Sequence, residues 1–264
     1  MTTNFVQPTE VLYEQADGIA YITLNRPEAR NALSFGLWEQ FLAALDKIER
    51  DTPPCAVIVS GAGGFFSAGG DVKTPPLRGD GAIAWSARLE LAQRVINRLR
   101  ALPALTIAAV EGRAIGLGWA LAMACDIIVA AEDSSYTAPF LNLGLVPDGG
   151  SAWFLTQRIG RHRAAEIILS CRQLSAAEAY GMGLVSQLVP AGTTKDRATK
   201  LIFAAGRENR HALELTKRML HQAEEGSLTS VHALELASLQ ICQTSGRPAA
   251  ARTALAGAQA SCLR

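Results

Sequence analysis

Thr106 to Asp126 reads TIAAVEGRAIGLGWALAMACD. Thr106 to Val110 is an apolar, strand-like run. Gly112 to Gly118 is a turn punctuated by glycine, and Trp119 to Cys125 is an apolar, helix-like run. The order is strand, turn, helix N-terminus. Such a helix start aims unpaired N–H groups at whatever lies in front of it. Gly116 and Gly118 allow the backbone to come close to that ligand. The stretch therefore predicts a site that holds negative charge by main chain.

Working outward, the chain alternates strands and helices. Val11 to Glu14 and Ile19 to Leu24 form a hairpin signal around Ala16-Asp17-Gly18. Ser34 is placed to cap a helix running to about Arg50, with Leu37, Phe41, Leu45 and Ile48 on one face. Ala56 to Ser60 is a buried strand that enters a second glycine-rich turn, Gly61 to Asp71. A Pro/Gly-rich loop, 74–81, leads to a helix ending near Ala101. Beyond the opening stretch, strands are expected at Asp126–Ala130, Tyr136–Phe140 and Leu184–Val189. Helices are expected at Ala152–Ile159 and Arg163–Ser170, and Ser175 to Glu178 forms a capping box. From about Thr193 only helical patterns remain, at Asp196–Ala205, Arg210–Glu225, Leu228–Thr244 and 249–258. An α/β body over 1–200 followed by a helical region over 201–264 is the expected organisation.

Composition narrows the function. The 264 residues are 49% hydrophobic with a formal net charge of +1, so bulk charge gives no case for nucleic acid. The N-terminus lacks the pattern of a signal peptide. The most apolar stretch, Thr106 to Ala131, is interrupted by Glu111, Arg113 and Asp126, which argues against a membrane span. Five dispersed cysteines, without metal spacing, suggest reduced thiols in a cytoplasmic protein.

Several motif readings fail on particular residues. A dinucleotide fingerprint over Gly116 and Gly118 requires a small residue at 121, which is Leu. No Gly-Lys-Ser/Thr occurs, which removes the P-loop. Gly149-Gly-Ser151-Ala-Trp153 ends in Trp where a nucleophile elbow needs Gly. His162, His211, His221 and His232 all fall late and beside no glycine turn, so neither a His-based triad nor a zinc site is expected, and no metal is assigned.

The two glycine turns belong together. Phe65-Phe-Ser-Ala-Gly-Gly-Asp71 and Gly112-Arg-Ala-Ile-Gly-Leu-Gly118 each follow a short apolar strand. Each can aim a backbone N–H into a common space, the arrangement of an oxyanion hole. With these turns the chain resembles the crotonase, or enoyl-CoA hydratase/isomerase, superfamily over nearly its whole length. LNRPEARNALS, FFSAGGD, AVEGRAIGLG, LAMACDIIVA and GLVPDGGSAWFLTQRIG follow in the family's order.

The resemblance implies a spiral of ββα units with a C-terminal helical region that builds a trimer, or a dimer of trimers. It implies an acyl-CoA thioester as substrate, with no cofactor beyond its coenzyme A. The N–H groups of Gly70 and Leu117 would hold the thioester oxygen, with Gly116 and Asp71 flanking them. Ala68 would meet the adenine through its backbone. Ala29, Arg30 and Lys73 lie where the family contacts CoA, although Arg30 and Lys73 also suit a solvated surface. A typical hydratase carries two glutamates, at the positions of Ala120 and Phe140 here. Both are absent.

Asp148, in Leu145-Val-Pro-Asp-Gly-Gly150, matches the catalytic carboxylate of several family isomerases and the nucleophile of the family's aromatic-CoA dehalogenase. In a pocket lined by residues such as Phe140 and Leu143 its pKa should rise. The bland alternative is a cap on the helix starting near Ser151. An isomerase with Asp148 as proton shuttle is the favoured reading; an atypical hydratase and a non-catalytic acyl-CoA binder are the rivals. Asp71 is expected to fix its turn rather than to act as a catalyst. Glu111 could act as an acid or base, but its position in the family implies a polar neighbour of the site. Trp85 and Arg88 could shape the acyl pocket, but ordinary packing and solvated charge are the safer readings. Lys217 and Arg218 suit equally a solvated helix face and a reach to the CoA phosphates of a neighbouring subunit.

Overall fold

The structure, a computed structural model, describes residues 9–50, 53–73, 81–205 and 210–244; of 81–85 it describes the backbone alone. The loop expected at 74–81, apart from its last residue, the helix expected at 249–258, the Trp85 side chain and Cys262 lie outside the described residues.

The strands β1 (Val11–Ala16) and β2 (Ile19–Leu24) form the predicted antiparallel hairpin. β2 then pairs in parallel with β3 (Ala56–Gly61), and β3 with β4 (Leu105–Val110), in the register Ile58 opposite Ile107. β6 (Ile127–Ala131) and β9 (Gln187–Val189) complete a six-stranded sheet in the order β1-β2-β3-β4-β6-β9. Five of the six β3 residues are buried, because parallel strands are covered on both faces. Val57, Val59, Ala108 and Val110 face one core, with α1 (Phe35–Arg50), α2 (Gly81–Ala101) and α3 (Leu117–Met123). Ala56, Ile58, Ile107 and Ala109 face the other, where α6 (Thr194–Ala204) packs Ala198 and Ile202.

A second sheet, β5 (Arg113–Ile115), β7 (Ser135–Thr137) and β8 (Gln173–Ser175), joins β5 to β7 in parallel and β7 to β8 antiparallel. Bridges Ser67–Ala114 and Leu33–Gly70 extend its pattern towards the first glycine turn. Each turn of the chain thus gives one strand to the large sheet, one short extended piece to the small one, and then a helix. That is the ββα spiral. The expected strand at Tyr136–Phe140 is the shorter Ser135–Thr137.

Local chemistry fixes the ends of these elements. Ser34 Oγ accepts from Leu37 N–H at 2.9 Å, the predicted cap of α1. Leu37, Phe41, Leu45 and Ile48 are all buried. Asp126, whose charge interrupts the opening stretch, accepts from Thr106 N–H and Oγ1 at 2.8 Å each and ties the start of β4 to the start of β6. α4 (Ser151–Ser170) is broken at Gly160, φ 76°, into the two helices the sequence predicts. Ser175 and Glu178 form the full capping box of α5 (Ala176–Gly181).

The chain divides into two compact units, 1–207 and 208–264, so α6 stays whole within the first. The described part of the second unit is the pair α7 (Arg210–Glu225) and α8 (Leu228–Thr244). Its apolar groove includes Leu215, Met219, Leu236 and Leu239. Lys217, expected on a solvated face, is buried. Among the described residues no helix is long and apolar enough to cross a membrane, and no cluster of potential metal ligands occurs.

Candidate active site

The two glycine turns lie against each other. Phe66 N–H donates to Glu111 O, Ser67 N–H to Arg113 O, and Ile115 N–H to Ser67 O, at 2.8–3.0 Å. Glycine is needed where they touch. A Cβ on Gly69, φ +88°, would fall 2.6 Å from Ile115 O and 3.6 Å from Leu117 N. A Cβ on Gly118 would fall 2.6 Å from Ser67 Cβ. Gly118 therefore serves the packing of the two turns rather than the ligand approach the sequence suggested.

The orientation of Gly70 follows from its neighbours. Leu33 donates to Gly69 O and accepts from Asp71 N–H. A parallel bridge made by the residues on either side turns the Gly70 N–H away from Leu33. Gly116 caps α3 with φ +51° and gives its N–H to Thr137 O, so it supplies the turn and no free donor. Leu117 is the first residue of α3, where no intrahelical acceptor exists for its N–H. Neither the Gly70 nor the Leu117 N–H has an acceptor among the described residues.

Asp148 reaches the same place from the segment before α4. A Cβ on Gly149, φ +58°, would lie 2.3 Å from Leu117 Cδ1, 3.1 Å from Ala120 Cβ and 3.2 Å from Ile96 Cδ1. Gly149 thus presses onto α3 at the residue that carries the free N–H. The Asp148 carboxylate does not cap α4. Its main-chain O accepts from Ser151 N–H at 2.9 Å and Ser151 Oγ at 2.7 Å, and the capping position is Gly150. Oδ1 is buried without a hydrogen-bond partner among the described residues. Burial pushes the carboxyl up to about 6, opposed by its own backbone N–H and by the Arg88 charge.

The surroundings correct several expectations. Phe140 is buried with its ring 3.6 Å from the Cβ position of Gly116, but Leu143 is 57% exposed. Arg88 is not a solvated charge: it is 8% exposed, and Nη1 donates to Asp71 O at 2.5 Å. Asp71 fixes its turn by accepting from Lys73 N–H at 3.1 Å, as the sequence predicts. It also pairs with Arg26 Nη1 at 3.0 Å, a partner that sequence alone did not supply. Glu111 points elsewhere: it accepts from Gly192 N–H, Thr194 N–H and Thr194 Oγ1 and holds the start of α6.

The residues expected on the CoA side lie on or next to the first glycine turn and the short 3-10 turn Pro27–Ala29. Ala68 N–H is taken by Arg30 O at 2.9 Å, which leaves its carbonyl for a ligand. Ala29 is half-buried. Arg30, at φ 52°, and Lys73 are exposed with no ion-pair partner among the described residues. Asn31, missed in the sequence, braces this region. It is fully buried; Nδ2 donates to Ala62 O and Phe65 O, and Oδ1 accepts from Arg26 N–H.

The arrangement is a pair of main-chain donors near a half-buried carboxyl whose Oδ1 has no hydrogen-bond partner among the described residues, with apolar Ala120 against the Gly149 backbone. It suits an acyl group whose carbonyl oxygen gains charge while a neighbouring carbon loses a proton. Known proteins point the same way. The family model for enoyl-CoA hydratase/isomerase matches residues 14–247. Over 227 residues, 86% of this chain and 88% of the relative, the chain is 32% identical to the 2,3-dehydroadipyl-CoA hydratase of Escherichia coli. It is also 32% identical to that organism's 1,2-epoxyphenylacetyl-CoA isomerase, covering 85% and 87% of the two chains. The crystal structure of an enoyl-CoA hydratase from Polaromonas superposes with a TM-score of 0.87 at 28% identity, covering 94% and 96%. With motif order, spiral topology and paired donors in agreement, the chain belongs to the enoyl-CoA hydratase/isomerase family of the crotonase superfamily.

Proposed function

We propose that the protein isomerises an enoyl-CoA, shifting a double bond with Asp148 as the sole proton shuttle. The observation that carries this reading is the buried Asp148 Oδ1, which has no hydrogen-bond partner among the described residues, near two main-chain donors that have no acceptor there. The Asp148 carboxylate takes a proton from C2 of a 3-enoyl-CoA. The C–H electron pair moves into the C1–C2 bond, and the thioester oxygen takes the negative charge. The N–H groups of Gly70 and Leu117 hold that oxygen; one such donor is worth about 2.7–4 kcal/mol in the transition state. Protonated Asp148 then returns the proton to C4. The double bond forms between C2 and C3, the carbonyl re-forms, and the carboxylate is regenerated.

A carboxyl pushed up to about 6 suits both halves of this cycle. It is mostly ionised at neutral pH, yet basic enough to carry a proton. Arg30, Lys73, Ala29 and the Ala68 carbonyl are assigned to CoA. The exposed Leu220, Leu236, Leu239 and Ile241 suit the C-terminal helices to subunit contact in a trimer or a dimer of trimers. The dispersed cysteines suit a reducing, cytoplasmic setting.

The test is Asp148→Asn assayed on 3-enoyl-CoA. A fall of at least about a hundredfold in kcat is expected; full activity in the variant would end the proposal. A hydratase is the second reading, favoured by the relative named as a hydratase. It requires one group to activate water and another to protonate C2. Ala120 and Phe140 supply neither, so hydration of crotonyl-CoA is expected to be slow beside isomerisation. The reverse ratio would bring the hydratase forward.

A further inference from the structure

Arg88 is a buried cation that the isomerase mechanism does not use. It stands on α2 with 8% of its surface exposed, and taking a guanidinium out of water needs compensation. One part of that compensation is the hydrogen bond from Nη1 to the main-chain O of Asp71. Asp71 directly follows Gly70. Its carboxylate is turned to Arg26 and Lys73 N–H, and its N–H to Leu33 O. Arg88 thus adds a hold on the Asp71 main-chain O to those that Leu33, Arg26 and Lys73 provide. A further part is charge: Asp71 and Asp148 both favour the cation against the desolvation that lowers its pKa.

Apolar side chains press on the Gly149 backbone next to Asp148: Leu117 and Ala120 from α3 and Ile96 from α2. Among the described residues, Arg88 is the charged group whose field acts on the Asp148 carboxyl. Yet Arg88 makes no hydrogen bond to Oδ1, which keeps that oxygen open towards a substrate.

We propose that Arg88 is a positioning residue of the site: it pins the Gly70 turn through the Asp71 carbonyl, and held there its positive charge bears on the Asp148 carboxylate. The proposal rests on Asp148 as the proton carrier, but its test does not need turnover. The two roles separate by substitution. Arg88→Lys keeps the charge with a less fixed donor. Arg88→Gln keeps a donor and drops the charge.

Asp148 is titrated by carbon-13 NMR of its carboxyl carbon, assigned by the loss of that signal in Asp148→Asn. In Arg88→Gln the midpoint is expected to rise by about one pH unit, as removal of a nearby opposite charge dictates. In Arg88→Lys it should stay near the wild-type value. The carbonyl stretch of a bound, unreactive acyl-CoA thioester, read by infrared difference spectroscopy, reports the donor turn. Arg88→Met should move that stretch back towards its position in water, and Arg88→Gln should move it less. An unmoved Asp148 midpoint in Arg88→Gln overturns the electrostatic role. An unmoved carbonyl stretch in Arg88→Met overturns the pinning role. Should Arg88→Met fail to fold, the Lys and Gln pair carries both readouts, and equal values in the two variants overturn the proposal. Wild-type turnover in Asp148→Asn, with the Asp148 midpoint still responding to Arg88→Gln, would refute the shuttle alone.

Discussion

Asp148 makes folding stability depend on pH in a direction opposite to that of a salt-bridged carboxylate. Its folded pKa, about 6, lies above the ordinary 3.8. Between these values the folded state binds more protons than the unfolded state, so this group's contribution falls as pH rises. The gap is about two pH units at about 1.4 kcal/mol each, which sets a ceiling of about 3 kcal/mol. Within a practical window, pH 4.5 to 7.5, about 2 kcal/mol of it is lost. Asp148→Asn removes the titration. The amide has its own cost of burial, but that cost is a constant offset, so the slope is the readout. Urea unfolding of both proteins at fixed protein concentration across this window gives the comparison. The difference, variant minus wild type, should grow by about 2 kcal/mol from pH 4.5 to 7.5. A flat difference would mean that Asp148 is not held in the desolvated site described above, and the argument for its basicity would fall with it.

Three other substitutions address the scaffold. Asn31→Ala strips Ala62 O, Phe65 O and Arg26 N–H of a buried partner and should cost about 3 kcal/mol in urea unfolding; a loss under about 1 kcal/mol would contradict the bracing role. Glu111→Ala removes the acceptor for Gly192 and Thr194. It should lower stability by about 1 kcal/mol with kcat unchanged, and a large loss of kcat would return Glu111 to the chemistry. Gly149→Ala forces a Cβ against Leu117 at a positive φ. About 2 kcal/mol of stability and most of the turnover should be lost, while an active, equally stable variant would show that the Asp148 segment does not press on α3.

Regular elements were legible because their periodicity is long. The sequence placed β2, α7 and α8 at the boundaries observed, and α1 with its Ser34 cap. β5 and β8 were not legible, since three residues carry no usable period and their pairing is set by neighbours far along the chain. The two glycine turns could be paired from sequence, but the reason for each glycine could not. Gly118 looks like a ligand-facing residue until Ser67 is seen beside it. Arg88 shows the same limit for charge. A cation on an amphipathic helix reads as solvated, and only the fold brings Asp71 O and Asp148 to it. Asp148 was left with two readings because Pro-Asp-Gly suits both a cap and a catalyst. The geometry removes the side-chain cap: Ser151 bonds to the Asp148 main-chain carbonyl, and Gly150 holds the capping position.

In the proposed mechanism charge stabilisation rests on backbone N–H groups, held by Leu33, Ser67 and the glycines around them. Substitution at position 120 leaves those donors in place, so proton chemistry can change while the hole persists. Position 120 and Asp148 are nevertheless not independent. Ala120 is fully buried, and its Cβ lies 3.1 Å from the Cβ position of Gly149. A longer side chain there meets the backbone that carries Asp148. A carboxylate there would also add a like charge to a desolvated site, raising the cost of ionising either group. Small size at 120 and a carboxyl at 148 are thus one solution to one volume, and a two-carboxylate hydratase arrangement is a different one.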